Sequence, residues 1–386
     1  MLLASPIVFG AGVVDISYSP FTITRSGSYL VVDDIQVAQD QYGIYIRCSN
    51  VSIDLNGHTL YGAGTATGSS GTGIYAVSTA NNISIKNGTV RDFRSGGVRL
   101  SGRNNLVMQV HAIGNRSTGI EIKENSTVKD CIAAENGSYG FSIGFNCNLS
   151  GNNSYQNRNY GISTDSCCTI INNTVSANEN YGIVAGICSA IIGNTVSNNT
   201  GAGILARSGG TVINNSVYRN KSWGIYAEYN CSVIGNNTYY NSASGIYAGS
   251  GSSVLDNTSN NNTSHGIYAI INCRIVGNTC LNNGLSTVTA AGIYVGNSDS
   301  VIEDNLCLGN DYGLQISASG NYYARNKFSG NTTNLSIVGG NTAGTGDNVN
   351  IQFYYNDAPI QIQLAGIVMP FAISEYKYPL EQMLRW

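Results

Sequence analysis

The sequence predicts an all-β fold, a single-stranded right-handed parallel β-helix of about 13 coils, capped at both ends. Three observations carry this expectation. A 21-residue period recurs without slippage over much of the chain, apolar residues alternate in short runs between turn formers, and asparagines return at two fixed places in each period.

The period is read from a glycine followed by an apolar residue, most often isoleucine. These glycines are Gly43, Gly73, Gly97, Gly119, Gly140, Gly161, Gly182, Gly203, Gly224, Gly245, Gly266, Gly292 and Gly313, and from Gly119 to Gly266 every step is 21 residues. Longer steps before Gly73, Gly97 and Gly292 read as loops inserted into a fixed winding. Counting the glycine as position 0, apolar residues fall at positions 1 and 3 (Ile225, Ala227), at 9 or 10 (Val233, Ile234) and near 14. Short alternating runs bounded by Gly, Asn and Ser are strand signals. Leucine-rich repeats have similar periods but need a leucine signature that is absent, and left-handed hexapeptide helices need multiples of six. Three strands per turn is the winding that remains.

The corners come next. Asn152, Asn173, Asn194, Asn215, Asn236, Asn257 and Asn278 share position 12, and Asn136, Asn157, Asn178, Asn199, Asn220, Asn241, Asn262 and Asn283 share position 17. Stacked amides hydrogen-bond along a pile, and asparagine tolerates the left-handed backbone of a sharp turn, so both series are expected to be structural ladders.

The ends follow from proline and from loss of the period. All five prolines, Pro6, Pro20, Pro359, Pro370 and Pro379, lie outside residues 21–358, where continuous pairing needs every backbone donor. Residues 1–40 are expected to form N-terminal cap strands, 41–339 the β-helix, and 340–386 a β-rich cap or assembly segment that covers an otherwise templating sheet edge. Two insertions, Tyr61–Thr72 and Gly284–Ala291, precede a Gly-Ile strand and so should leave the same corner.

Composition bounds the partners. Only 11% of residues are charged, the net charge is −3 and no basic run exists, so the electrostatic footprint of a nucleic-acid binder is missing. No stretch approaches the roughly 18 apolar residues of a membrane span. The uncharged polar surface suits an extracellular or cell-surface setting, although MLLASPIVFGAGVV has no basic n-region of a leader.

The segment NVSIDLNGHTLYG, followed by GIYAVSTANNISIKNGTVRDFRSGGVRL, resembles the opening of pectate-lyase-like right-handed β-helix proteins, in particular the NosD-type group, and the resemblance covers roughly residues 20–335. It implies the fold. For function it implies only a range, from polysaccharide lyases, hydrolases and epimerases to phage tailspikes, adhesins and non-enzymatic surface proteins. The N-T-D, D-D, G-H-G and R-I-K series of polygalacturonases and the D-P-H-D motif of alginate epimerases are not matched.

Several residues are candidates for chemistry. Arg99 and Glu121 both stand at position 2 of successive coils and should face each other; with Asp92 and Arg94 they are the candidate acidic-sugar site. As an ordinary exposed pair, Arg99–Glu121 is worth under about 1 kcal/mol. His58 reads as a turn histidine satisfied by backbone, and His111 and His265 have no partner histidine for a metal. Of the ten cysteines, Cys147, Cys168, Cys231 and Cys273 share position 7 and Cys167 and Cys188 position 6; there is no C-x-x-C motif and most read as small apolar fillers in a stack, with Cys147–Cys168, Cys167–Cys188 and Cys280–Cys307 left as pairs that could bridge. No metal and no cofactor is expected. Outward at position 2 stand Tyr226, Tyr247, Tyr268 and Tyr294, with Trp223 beside them at position −1; this row is the candidate binding or assembly surface, the alternative being that tyrosine simply favours strands and stacks on itself. The expected function is a non-catalytic surface rod for assembly or carbohydrate contact, self-associating as a trimer or end-to-end filament or meeting a polysaccharide. The alternative is a polysaccharide lyase or glycoside hydrolase, tailspike-like, acting on an acidic polysaccharide.

Overall fold

The computed structural model describes residues 12–64, 71–284 and 290–344, together with the backbone of strands Val349–Asn350, Gln361–Leu364 and Ile367–Pro370. Among the described residues there are strands and turns but no helix. Within the array the typical coil carries three strands of three residues, as in Ile225–Ala227, Ser232–Ile234 and Asn237–Tyr239. Each pairs in parallel with its counterpart one coil on, Ile225 with Ile246, Val233 with Val254, Thr238 with Ser259. The chain therefore winds a rod with three faces.

The first face, built by the strands after the glycines, is an unbroken 15-stranded parallel sheet. At about 4.8 Å per strand it is on the order of 70 Å long. The two strands beyond the thirteen expected are Phe21–Ile23, which pairs with Ile44–Ile46, and Thr333–Ile337, which pairs with Tyr312–Ile316. Neither is introduced by a Gly-apolar pair, so a count keyed to that pair misses both. The second and third faces merge into one sheet because Ile83–Arg91 and Leu106–Ile113 run through the corner between them without a break. Beyond the rod, Val349–Asn350, Gln361–Leu364 and Ile367–Pro370 form a small antiparallel sheet, and the rest of the 345–386 segment, like residues 1–11 and the tips of both insertions, lies outside the described residues.

Strand alternation sets the interior. Positions 1 and 3 point inward and are sealed (Ile225 and Ala227, 0% exposed), as are Val233 and Thr238 on the other faces. The aliphatic side chains form one continuous core along the rod.

Both expected asparagine ladders are present and longer than the sequence suggested. In the position-12 series Asn236 Oδ1 accepts two hydrogen bonds from Asn215, from the backbone N–H and from Nδ2, each at 2.9 Å. Asn236 Nδ2 then donates to Asn257 Oδ1 (3.0 Å) and to the Val212 carbonyl (2.8 Å). The series continues through Asn305 and Asn326, and the position-17 series begins at Asn115 and runs on to Asn310 and Asn331. These amides are buried to within a few per cent and every polar atom in them is engaged, which is the condition for a buried polar group not to cost stability. The same ladder explains the glycine. A Cβ on Gly224 would come 2.5 Å from the Gly245 carbonyl oxygen and 2.7 Å from Asn241 Nδ2, so the next coil's backbone and the amide together occupy the space a side chain would need.

A third ladder occupies the remaining corner. Ser126 N–H donates to Cys147 Sγ (3.3 Å), Cys147 N–H to Cys168 Sγ (3.4 Å), Cys168 N–H to Ser189 Oγ (3.1 Å), and Cys231 N–H to Ser252 Oγ (3.1 Å). These cysteines were expected as apolar fillers. They are buried, but their thiols do the work of serine hydroxyls, accepting from the backbone amide one coil before and donating to a carbonyl such as Lys123 O (Cys147 Sγ, 3.2 Å). All ten cysteines are free thiols, so none of the three pairs that could bridge is bridged.

Just before the position-12 asparagines lies a column of left-handed residues with a period of two coils. It reads Asp130, Gly151, Asn172, Gly193, Asn214, Gly235, Asp256, Gly277, all with φ between 53° and 70°. Each Asx side chain leans over the following coil: a Cβ on Gly193 would sit 2.5 Å from Asn172 Oδ1, and those on Gly151, Gly235 and Gly277 would meet Asp130, Asn214 and Asp256 in the same way.

Candidate functional site: an aromatic face on the first sheet

The outward position of the first face lies between two sealed ones, so a residue there is held rigidly by its neighbours while its tip stays accessible. Tyr226, Tyr247, Tyr268 and Tyr294 occupy it on four consecutive strands in exact backbone register. Their ring centroids are 4.4, 5.4 and 4.9 Å apart, with interplanar angles of 4°, 14° and 34°. The rings are thus piled along the rod axis. Interior ring faces are covered by neighbouring rings, and what the row offers outward is ring edges and phenolic hydroxyls.

Trp223 flanks the row, 5.0 Å from Tyr226 and 5.9 Å from Tyr247. Burial among these rings, followed by the proximity and hydrogen bonding of Tyr226, pushes the Tyr247 phenol up to about 12; burial also raises Tyr268. Both hydroxyls stay protonated donors over the physiological range. At the far end Tyr294 Oη and Ser317 Oγ share a hydrogen bond of 3.0 Å.

His265 belongs to the same cluster, a member the sequence reasoning set aside. Its ring stacks on Tyr294 (4.8 Å, 26°) and lies 5.6 Å from Tyr268. The Ala291 N–H donates to Nδ1 at 2.9 Å, so that nitrogen is an unprotonated acceptor, and burial lowers the histidine to about 4. The available signal was positional, because His265 precedes Gly266 as Trp223 precedes Gly224. Further aromatic groups extend the face toward the N-terminus: Tyr42 stacks on Tyr45 and Tyr75 at 5.2 and 5.0 Å, and Tyr139, Tyr160 and Tyr181 follow one another at 5.4 and 5.5 Å.

The four charged candidates do not converge. Arg99 and Glu121 are register partners with Nε–Oε2 at 3.3 Å, and Lys123 Nζ reaches the other carboxylate oxygen at 3.0 Å, a partner the sequence reasoning did not assign. Asp92 lies at a corner, paired with Arg91 Nε at 2.7 Å. Arg94 lines a shallow pocket with Asp40, Gly62 and Phe93. His58 differs from expectation as well: its Nδ1 pairs with Asp34 Oδ1 at 3.2 Å, and the same oxygen accepts the Thr59 N–H at 2.8 Å. The carboxylate, not backbone, satisfies the ring. Among the described residues no three His, Cys, Asp or Glu side chains come together as metal ligands, and no helix is long and apolar enough to cross a membrane.

A three-faced rod with inward asparagine ladders defines a class, and sequence comparison gives the same class. The family described as "Right handed beta helix region" matches residues 21–167, 162–295 and 207–358. The chain belongs to this family. No curated protein matches it. Among solved structures it is similar to the A-module of mannuronan C-5 epimerase AlgE4 from Azotobacter vinelandii, with 14% identity over 86% of this chain and 91% of that one and a TM-score of 0.43. It is also similar to a variant of the periplasmic alginate epimerase AlgG, with 15% identity over 76% of each chain and a TM-score of 0.48. A third is the Dettilon tailspike protein, with 17% identity over 85% of this chain and 63% of that one and a TM-score of 0.41. At these identities the likeness is one of fold.

Proposed function

We propose that the protein is a non-catalytic, rigid rod of an extracellular or cell-surface setting whose first face makes lengthwise contact with a polysaccharide. The observation that supports this most is the row Tyr226, Tyr247, Tyr268 and Tyr294 with Trp223 and His265: donor hydroxyls and electropositive ring edges repeat once per coil along a surface that cannot bend. A hydroxyl-rich chain laid along the rod finds a hydrogen-bond partner and a ring edge at each step. Because the rings cover one another's faces, the contact is edge-on, through hydroxyls and CH groups. A second copy of the chain is the other partner this face suits, side by side, while trimers or end-to-end filaments would draw on the segment beyond residue 340.

The test is binding of the Tyr247→Ser/Tyr268→Ser variant to a panel of polysaccharides, with light scattering on the same samples and on residues 1–340. A loss of at least tenfold in glycan affinity with unchanged mass is the expected result. If neither glycan binding nor oligomeric state moves, the row is only self-stacking strand residues and the reading fails.

The second reading, a lyase or hydrolase of an acidic polysaccharide, is favoured by one feature: Glu121, mostly buried on the same face, is held by two cations, Arg99 and Lys123. Incubation with acidic polysaccharides, followed by unsaturated-uronate absorbance and by reducing ends, separates the two. Product formation that disappears in Arg99→Ala/Glu121→Ala would establish the second.

A further inference from the structure

Of the ten free thiols, Cys167 and Cys188 alone are exposed; Cys48 is half-buried and the other seven are buried. The two stand six residues beyond Gly161 and Gly182, hence at the same corner of successive coils. The backbone confirms the register, since Cys167 N–H donates to Ile187 O (2.9 Å) and Cys188 N–H to Ser208 O (3.1 Å).

Their conformation is unusual for cysteine. Both are left-handed, with φ of 59° and 55°. Elsewhere this column holds residues suited to that region: Asn104, Asn125, Asn146, Asn230 and Asn272, with glycine at 209 and 251. Cysteine interrupts the asparagine pattern only here, on two consecutive coils. Side chains in the column reach along the rod to one another, as Asn146 Nδ2 does to Asn125 Oδ1 at 2.7 Å. Cys188 Sγ leans the same way, 3.5 Å from where a Cβ on Gly209 would be. Cys167 holds the equivalent place one coil earlier, with Cys188 where Gly209 stands for Cys188.

We propose that Cys167 and Cys188 are a redox modification site, a surface dithiol that closes reversibly into a coil-to-coil disulfide by exchange with small-molecule disulfides. The coil spacing of about 4.8 Å lies within the Cα separation of roughly 4.4–6.8 Å that disulfides span. The chemistry is two successive displacements. One cysteine thiolate attacks a sulfur of the small disulfide, which leaves as one thiolate and a mixed disulfide. The second cysteine thiolate attacks the protein sulfur of that mixed disulfide and expels the other small thiolate. Two protein thiols are oxidised and one small disulfide is reduced; the two protons the protein thiols give up end on the two departing small thiolates, which leave as thiols. The buried pairs are withheld from this chemistry: Cys147 and Cys168 donate to the Lys123 and Gly144 carbonyls, and Cys280 and Cys307 are sealed in the core. The product would clamp two coils near the middle of the rod. In a fold where each coil contacts only its neighbours, unzipping that starts from one end would halt there.

The experiment is exposure of the reduced full chain to oxidised glutathione, with intact mass and peptide mapping. The expected result is loss of two hydrogens, one Cys167–Cys188 linkage and full reversal by dithiothreitol. In Cys167→Ser and in Cys188→Ser one glutathione adduct persists instead, for want of the second thiol. Wild-type protein carrying two glutathione adducts without a linkage, or an oxidised mass of −2 hydrogens persisting in Cys167→Ser, would overturn the proposal.

Discussion

At the residue scale the buried amides hold the corners. Asn241 Oδ1 accepts from the Asn220 backbone N–H and from Asn220 Nδ2, both at 3.1 Å, while its own Nδ2 donates to Val217 O at 3.1 Å and to Asn262 Oδ1 at 3.0 Å. Asn241→Ala would strand the buried Asn220 backbone N–H and take one partner each from Asn220 Nδ2, Val217 O and Asn262 Oδ1. We expect a loss of about 3 kcal/mol in chemical denaturation, at the upper end of what one unsatisfied buried group costs. His265 gives a prediction in pH. Its folded value of about 4 lies below the ordinary 6.5, so the unfolded chain takes up a proton that the folded chain refuses. Stability from this group is complete above pH 6.5 and is lost as pH falls from 6.5 toward 4. Calorimetry across that window should show a falling melting temperature in the wild type and a flatter profile in His265→Gln, whose side-chain amide still accepts from Ala291 N–H.

At the scale of strands and corners, the left-handed column makes each glycine answer to the residue one coil before it. Gly235 has φ of 64° and Asn214 Oδ1 in its would-be Cβ position. Gly235→Ala should therefore cost about 1–2 kcal/mol from backbone strain alone, and more from displacing Asn214. In Asn214→Ala/Gly235→Ala the displacement term vanishes and the strain stays, so the double variant should be less destabilised than additivity predicts. The parts of this architecture legible in sequence are those where only one residue type works. Asparagine alone supplies donor and acceptor at the inward corners, and glycine alone leaves room for the Asn241 amide. The third corner was illegible because Cys, Ser and Asn all place an acceptor on the amide one coil before, and so show no common letter. The terminal strands Phe21–Ile23 and Thr333–Ile337 were missed because pairing and burial, not the glycine, define them. The aromatic row was visible as a pattern, but ring orientation is a matter of rotamers and neighbours. That orientation makes the proposed contact edge-on.

At the scale of the whole molecule, the rod is a stack of nearest-neighbour contacts with one core and, on its first face, one unbroken 15-stranded sheet. Its rigidity makes the spacing along the first face a fixed property, which is why the proposed contact is argued from repetition along the axis and not from a pocket. The two-coil column adds a constraint on length. Because Asx and Gly alternate from Asp130 to Gly277, the unit that keeps every Asx over a glycine within that stretch is 42 residues, two periods of 21, and not one. Excising residues 172–213 brings Gly151 against Asn214 and keeps the alternation, whereas excising 193–213 sets Asn172 directly against Asn214. We expect the 42-residue excision to yield a shorter rod that unfolds cooperatively near the wild-type temperature, and the 21-residue excision a less stable one, measured side by side by circular dichroism. The middle of such a rod would then grow or shrink by paired duplication, in even steps, like a chain of dominoes that join only two by two.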